Sequence, residues 1–166
     1  MNTTRTCLES PLGILTLIAR DGALSGIYLP AQRVEPGPTT SLAHAEPVLS
    51  EAARQLRDYF EHRRTSFDLP LAAAGTDFQR AVWGELCRIP HGETRAYSDL
   101  ARALGRPRAA RAVGAANGQN PLSIVVPCHR VLGRDGRLHG YAGGEPAKRW
   151  LIDHEARAVE GRRNLS

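Results

Sequence analysis

The sequence predicts an α/β protein of two lobes: a small β-sheet carrying one helix, then a mostly helical lobe with a helix-turn-helix. Three observations carry this. Residues 3–30 hold β-type runs separated by turn pairs, and residues 47–61 switch to helical spacing. From Thr76 onward, short helical runs are punctuated by glycine and proline. The lobes are expected at residues 1–75, connector included, and 76–166.

Thr3 to Leu8 and Ile14 to Ala19 read as strands joined by the turn Ser10-Pro11-Leu12-Gly13. Asp21-Gly22 is a hairpin signal, since both residue types tolerate the positive φ of a two-residue reversal, and a third strand runs from Leu24 to Leu29. Pro30, Pro36, Gly37 and Pro38 make 30–46 a loop. Val48, Ala52, Leu56, Tyr59 and Phe60 then fall close to helical spacing, so 47–61 is an amphipathic helix. Cys7, His44 and His62 are scattered and read as structural or surface residues.

The connector 62–75 ends in Ala72-Ala73-Ala74-Gly75. Thr76 with Gln79 makes a capping box, which places a helix start there. Phe78, Val82, Leu86 and Ile89 give that helix a buried stripe with Trp83 at its edge. Cys87 is expected to pack, and Pro90 to end the helix. Tyr97 to Leu104 is the next helix, with Leu100, Ala101 and Leu104 on one face and Gly105 as its stop. Pro107 suits the first turn of another, at about 107–117, closed near Gly118.

Helix, glycine turn, helix is a helix-turn-helix outline, although an ordinary αα-hairpin shares the spacing. The second helix is almost without side chains at Ala109, Ala110, Ala112, Gly114, Ala115 and Ala116, while Arg106, Arg108 and Arg111 line its start. Small residues let a backbone approach another surface closely, and arginines supply phosphate contacts. Tight packing on a neighbouring helix is the competing use of such smallness.

Ile124-Val125-Val126 is predicted as a short strand buried on both faces and stopped by Pro127. Gly133-Arg134-Asp135-Gly136 reads as a reversal, and Gly140-Tyr141-Ala142-Gly143-Gly144 as a loop for close backbone approach to a flat ligand. That loop lacks the residues of a P-loop. Pro146 starts a last helix whose inner face includes Trp150, Leu151 and Glu155. The polar, basic tail from about Val159 is expected to be disordered.

The bulk numbers bound the function. With 166 residues, 42% hydrophobic and 23% charged, the composition is that of an ordinary globular protein. A net charge of +5, much of it arginine, suits a polyanionic partner such as nucleic acid. Three cysteines without a CxxC spacing argue against a disulfide framework or a compact zinc module and fit a reducing compartment. No apolar core of a signal peptide stands at Met1 to Ser10, and no segment is apolar enough to span a bilayer. A cytoplasmic protein with no membrane partner is expected.

The chemistry gathers at Pro127-Cys128-His129-Arg130. A thiol at the end of a buried strand, beside an imidazole and a guanidinium, sits where its pKa is expected to fall and its nucleophilicity to rise. The alternative use of Cys128 is as a small buried hydrophobe.

With Ile124-Val125-Val126 before it and Val131-Leu132-Gly133 after, this stretch resembles the acceptor-cysteine signature of O6-alkylguanine-DNA alkyltransferases. An ordered set of further matches runs from about Thr76 to Glu155. The resemblance implies an RNase H-like first lobe and a winged-helix-like second lobe in a stand-alone protein of bacterial type. It implies irreversible transfer of an alkyl group from O6 of guanine in DNA to Cys128, once per molecule, with no metal or organic cofactor. O4-alkylthymine is a second substrate whose acceptance turns on Ala142, which stands where some members have a serine.

The same resemblance distributes the roles. Glu155, His129 and a water activate Cys128, and Asn120 orients it. Tyr97 contacts the flipped base and helps rotate its phosphate, and Arg111 enters the stack in the base's place. The helix carrying Arg108, Ala110, Ala112 and Gly114 lies in the minor groove of double-stranded DNA. The main-chain carbonyls of Cys128 and Val131, with Tyr141, Ala142 and Gly143, line the base site. The protein is expected to act as a monomer.

Three alternatives make distinct demands. A lesion-binding relative that transfers nothing would lack the cysteine, and Cys128 is present. A helix-turn-helix regulator needs recognition side chains that reach base edges, and an alanine-rich helix offers few. A redox thiol needs a resolving partner, and none stands near Cys128 in sequence.

Overall fold

The computed structural model describes residues 2–133, 135–136, 138 and 141–165, with side chains as far as residue 161. The chain divides into two units, Met1–Ala74 with Pro121–Val125, and Gly75–Asn120 with Val126–Ser166.

The first unit is an antiparallel sheet in the order β1 (Thr3–Ser10), β2 (Gly13–Arg20), β3 (Ala23–Tyr28), with helix α1 (Pro47–Phe60) packed on it. The strands alternate as a half-buried sheet must, putting Thr6, Leu8, Leu15, Leu17, Ala19, Leu24 and Ile27 on the core side. Asp21 (φ 50°) and Gly22 (φ 83°) make the reversal that their types foretold. Leu49, Ala52, Ala53, Leu56 and Tyr59 supply the buried face of α1. The outer edge of β3 is covered by two separate segments. Leu24 exchanges backbone hydrogen bonds with Pro70 and Ala72, and Ile27 donates to the Pro121 carbonyl at 2.9 Å. An edge closed in this way offers no row of free amides to another chain.

In the second unit, α2 (Asp77–Leu86) begins with the predicted box: Thr76 Oγ1 accepts from the Gln79 amide at 3.1 Å, and the Thr76 amide donates to Gln79 Oε1 at 2.9 Å. The helix stops at Leu86 and turns through Ile89, short of Pro90. Trp83 is buried, not marginal; its indole N–H donates to the Ala116 carbonyl at 2.9 Å and ties α2 to the helix behind it. β4 (Arg95–Ala96) leads into α3 (Tyr97–Ala103), which ends near Gly105 (φ 71°). α4 (Ala110–Gly118) starts three residues beyond Pro107, and Gly118 belongs to it. A turn in which the Ala109 amide donates to the Arg106 carbonyl occupies the predicted first helical positions.

The predicted strand at Ile124–Val126 does not form. Ile124 adopts φ 75°, rare for a β-branched residue, and the following bonds are turn bonds, Val125 N to Ser123 O and Cys128 N to Val126 O. Ile124 and Val126 are buried, so the apolar run reports burial and not extension. Cys128 therefore opens a 3₁₀ turn, Cys128–Arg130, and strand structure resumes only at β5 (Val131–Leu132), parallel to β4. The last helix, α5 (Glu145–Leu165), takes in the tail expected to be disordered. Ala156, Arg157, Ala158, Glu160 and the arginines after them are good helix formers, whatever their polarity.

The reversal predicted at 133–136 and the glycine loop at 140–144 each include one residue outside the described set, Arg134 and Gly140. What is described is a turn in which the Gly144 amide donates to the Tyr141 carbonyl at 3.0 Å, with Gly144 at φ 94°. Among the described residues, no helix is long and apolar enough to cross a membrane.

Candidate active site

The site is assembled from the 3₁₀ turn and the inner face of α5. Lys148, Leu151 and Glu155 recur at three and four residues on that helix and are buried together with His154, while Trp150 is half-buried and stacks on His154. The turn presents Cys128, His129 and Arg130 in succession, all buried.

Glu155 joins them. His129 Nε2 lies 2.7 Å from Glu155 Oε2, Arg130 Nε donates to Oε1 at 2.8 Å, and Arg130 Nη2 donates to Oε2 at 3.0 Å. Arg130 Nη1 donates to the Ile89 carbonyl at 2.7 Å, anchoring the guanidinium to the end of the α2 turn. Burial alone would raise the Glu155 carboxyl, but the hydrogen bonds and charges of His129 and Arg130 hold it well below the usual carboxylate range. The Gly92 amide adds a longer bond to Oε1 at 3.4 Å. Gly92 has φ 86°, and a Cβ there would lie 2.4 Å from Val159 Cγ2, so only glycine brings this turn against α5.

Burial pushes His129 below its ordinary value, against the pull of Glu155, so the resting imidazole is neutral. A carboxylate only accepts; the proton therefore sits on Nε2, and Nδ1 keeps its lone pair. Nδ1 is buried and meets no hydrogen-bond partner among the described residues. This is the tautomer a general base requires.

The thiol departs from expectation. Burial pushes Cys128 up to about 11, with the Asn120 side chain and the Lys148 charge pulling weakly the other way. Arg130 turns its guanidinium to Glu155, whose charge offsets its own. The resting group is thus a thiol, and adjacency in sequence to an imidazole and a guanidinium does not depress its pKa. Asn120 Nδ2 donates to the Val126 carbonyl at 2.8 Å and bonds to the Cys128 side chain, so one amide holds both the turn and the sulfur. Asn117 Nδ2 donates to the Cys128 carbonyl at 3.3 Å.

Tyr97, at the start of α3, is half-buried near the thiol. Burial and the Cys128 charge raise its hydroxyl, and a hydrogen bond with Asn117 opposes them. Tyr141 and Gly143 are buried and Ala142 is exposed on the turn above α5, while Val131 is buried in β5. On α4, Val113, Ala116 and Asn117 face inward. Arg111, Ala112 and Ala115 face solvent, Arg108 is exposed beside them, and Ala110 and Gly114 are half-exposed. The small residues of α4 therefore serve an outer surface as well as internal packing. Gly114 also lies under the Tyr97 ring, where a Cβ would sit 3.9 Å from its edge.

A buried thiol, a neutral imidazole held by a carboxylate and a small-residue helix with exposed arginines coincide with the comparisons. The family model for the DNA binding domain of 6-O-methylguanine DNA methyltransferase matches residues 77–157. The model for the ribonuclease-like domain of the same protein matches residues 4–73. The chain belongs to the 6-O-methylguanine DNA methyltransferase family.

Relatives in this family match nearly end to end. A methylated-DNA–protein-cysteine methyltransferase of Methanosarcina barkeri is 46% identical over 149 residues, 89% of this chain and 94% of the relative. The constitutive one of Bacillus subtilis is 45% identical over 154 residues, 90% and 93% of the two chains. The crystal structure of Mycobacterium tuberculosis O6-methylguanine methyltransferase superposes with a TM-score of 0.85 at 43% identity, covering 95% of this chain and 94% of the other. The structure of Mycobacterium tuberculosis OGT in complex with DNA gives 0.84 at 44% identity, covering 93% and 94%. The two-lobe family fold is therefore the fold of this chain.

Three buried side chains have roles that were not read from the sequence. Arg130 neutralises Glu155, Asn117 holds the Cys128 carbonyl, and the Lys148 charge acts on the thiol. Arg130 stood out as a neighbour of Cys128, but as a cation for the thiol and not for Glu155. Asn117 and Lys148 carried no sign of burial, since a polar residue on a helix ordinarily faces water.

Proposed function

We propose that this chain repairs DNA directly, moving a methyl or other alkyl group from O6 of guanine irreversibly onto Cys128, and is consumed in doing so. The observation that carries the reading is the buried series Glu155–His129–Cys128 in a chain whose family transfers alkyl groups to protein cysteine.

His129 Nδ1 takes the thiol proton through one water. The imidazolium that forms lies 2.7 Å from Glu155, which stabilises it. The thiolate attacks the alkyl carbon in line; the C–O bond breaks with its electron pair on guanine, Tyr97 or a neighbouring N–H gives the base a proton, and the proton held on His129 restores that donor, returning the imidazole to neutral. A thioether is not hydrolysed under ordinary conditions, so each chain reacts once. That a thiol near 11 is the resting state fits this economy: the nucleophile is exposed only when a base is at hand to take its proton.

The target atom lies inside the duplex, so the base must leave the stack. The exposed face of α4 supports binding in the minor groove, with Arg111 entering the stack and Arg108 on a phosphate. The carbonyls of Cys128 and Val131 with Tyr141, Ala142 and Gly143 receive the base. The Cys128 carbonyl keeps one lone pair for this beside its bond from Asn117. The protein works as a cytoplasmic monomer on double-stranded DNA.

The test is titration with a duplex carrying labelled O6-methylguanine: label on the protein rises to one methyl per chain and stops. Continued turnover, or binding without uptake, rejects the reading. Arg111→Ala is expected to slow reaction with the duplex by about tenfold or more while leaving reaction with free O6-alkylguanine near its original rate, because only the duplex demands an unstacked base. Equal slowing of both removes the finger role.

A further inference from the structure

Twenty-one of the 22 basic residues in this chain are arginine; the one lysine is Lys148. It is 0% exposed, on the inner face of α5, with its Nζ buried and hydrogen-bonded to no described residue. The ammonium lies 5.9 Å from the centre of the Tyr97 ring and 6.0 Å from that of Tyr141. Both are at the distance where a cation is attracted to an aromatic face. Glu155, two turns along the same helical face at about 10 Å by helical rise, is held by Arg130 and His129 and does not neutralise it. A buried ammonium with no hydrogen-bond partner among the described residues is costly to the fold, so the charges within its reach matter. The sulfur of Cys128 is one of them, and it also acts on Tyr97, whose ring the ammonium overlies.

We propose that Lys148 is the standing countercharge of the Cys128 thiolate, held between Tyr97 and Tyr141 and paired only when the sulfur ionises. The inference rests on Cys128 as the acceptor and adds to the relay a group that moves no proton. When the S–H bond breaks, the proton passes to His129, and the ammonium balances the sulfur anion as the imidazolium is balanced by Glu155. Once the thioether forms, the sulfur is neutral and no longer balances Lys148. Electrostatic pull between the two groups runs both ways, lowering the thiol and raising the amine, while burial lowers the amine. An arginine would bring a planar fork that cannot shed its proton, whereas a single ammonium is a compact charge.

The groups that act on Lys148 are Tyr97 from α3, Cys128 and His129 from the 3₁₀ turn, Tyr141 from the turn after it, and Glu145 at the start of α5. In Lys148→Met, iodoacetamide labelling of Cys128 is expected to shift its pH midpoint upward and slow about tenfold at pH 8, because the thiolate loses its countercharge. An unaltered profile in folded Lys148→Met protein overturns the proposal. Methyl uptake from the duplex by the parent protein, measured on the same preparations, separates the two claims: no uptake defeats the acceptor reading, while the labelling profile judges Lys148 alone.

Discussion

Glu155→Ala is expected to cost about 3–5 kcal/mol of folding stability, because it leaves a buried guanidinium and a buried imidazole without their shared anion. Arg130 makes two bonds to that carboxylate, and His129 makes one. The milder Glu155→Gln keeps the shape and one acceptor oxygen but not the charge. It is expected to stay folded and to slow single-turnover methyl transfer about a hundredfold, the scale of a general base that has lost its orienting partner. Urea unfolding of both variants, with quenched-flow rates for the second, checks this. A Glu155→Gln protein as fast as its parent would mean that the carboxylate holds the fold and has no part in activating His129.

The same pair sets an acid limit. Glu155 has a folded pKa depressed below its unfolded value, so its contribution to stability is present above about 4.3 and is lost as pH falls below that, where the unfolded chain takes up a proton that the folded chain refuses. His129 is also held below its ordinary value, so the unfolded chain binds its proton first, and stability begins to fall below about pH 6.5. Both slopes have the same sign: acid weakens this fold. In Glu155→Gln the lower of the two steps is absent.

Cys128→Ser is expected to abolish methyl transfer to that position while leaving DNA affinity close to the parent's. The serine oxygen is nearly the same size but far harder to ionise, and burial that already pushes a thiol to about 11 weighs further against an alkoxide. Binding rests elsewhere, on α4 with Arg108 and Arg111 in the solvent-facing positions. Fluorescence anisotropy with an O6-methylguanine duplex, beside the transfer assay, reads the two properties independently. Loss of binding together with transfer would refute this division between the thiol and the helix.

How legible all this was depends on how local the physics is. The Thr76–Gln79 box and the Asp21-Gly22 reversal involve groups three residues apart or fewer, and the structure has both where the sequence indicated. Ile124-Val125-Val126 misled because a β-branched run signals burial as readily as extension. Here the Val126 carbonyl is met by the Asn120 side chain and not by a neighbouring strand. Pro107 misled in the same manner: a fixed φ suits a turn as well as a first helical residue.

The site was less readable. Cys128 and His129 stood out as neighbours, but their pairing with Glu155, 26 residues beyond His129, came only from family resemblance. The direction of the thiol's pKa could not be read from adjacent cations, because the guanidinium beside it turns away to a carboxylate. Lys148 carried no local mark at all; its burial is a property of the whole packed unit.

The central claim is that Cys128 itself receives the alkyl group. The measurement that tests it most directly is peptide mapping by mass spectrometry after the protein is mixed with an O6-methylguanine duplex. A gain of one methyl group is expected, confined to the peptide containing Cys128 and located on its sulfur. A methyl on Cys7 or Cys87, or an unmodified Cys128 in protein that has bound the duplex, would contradict it.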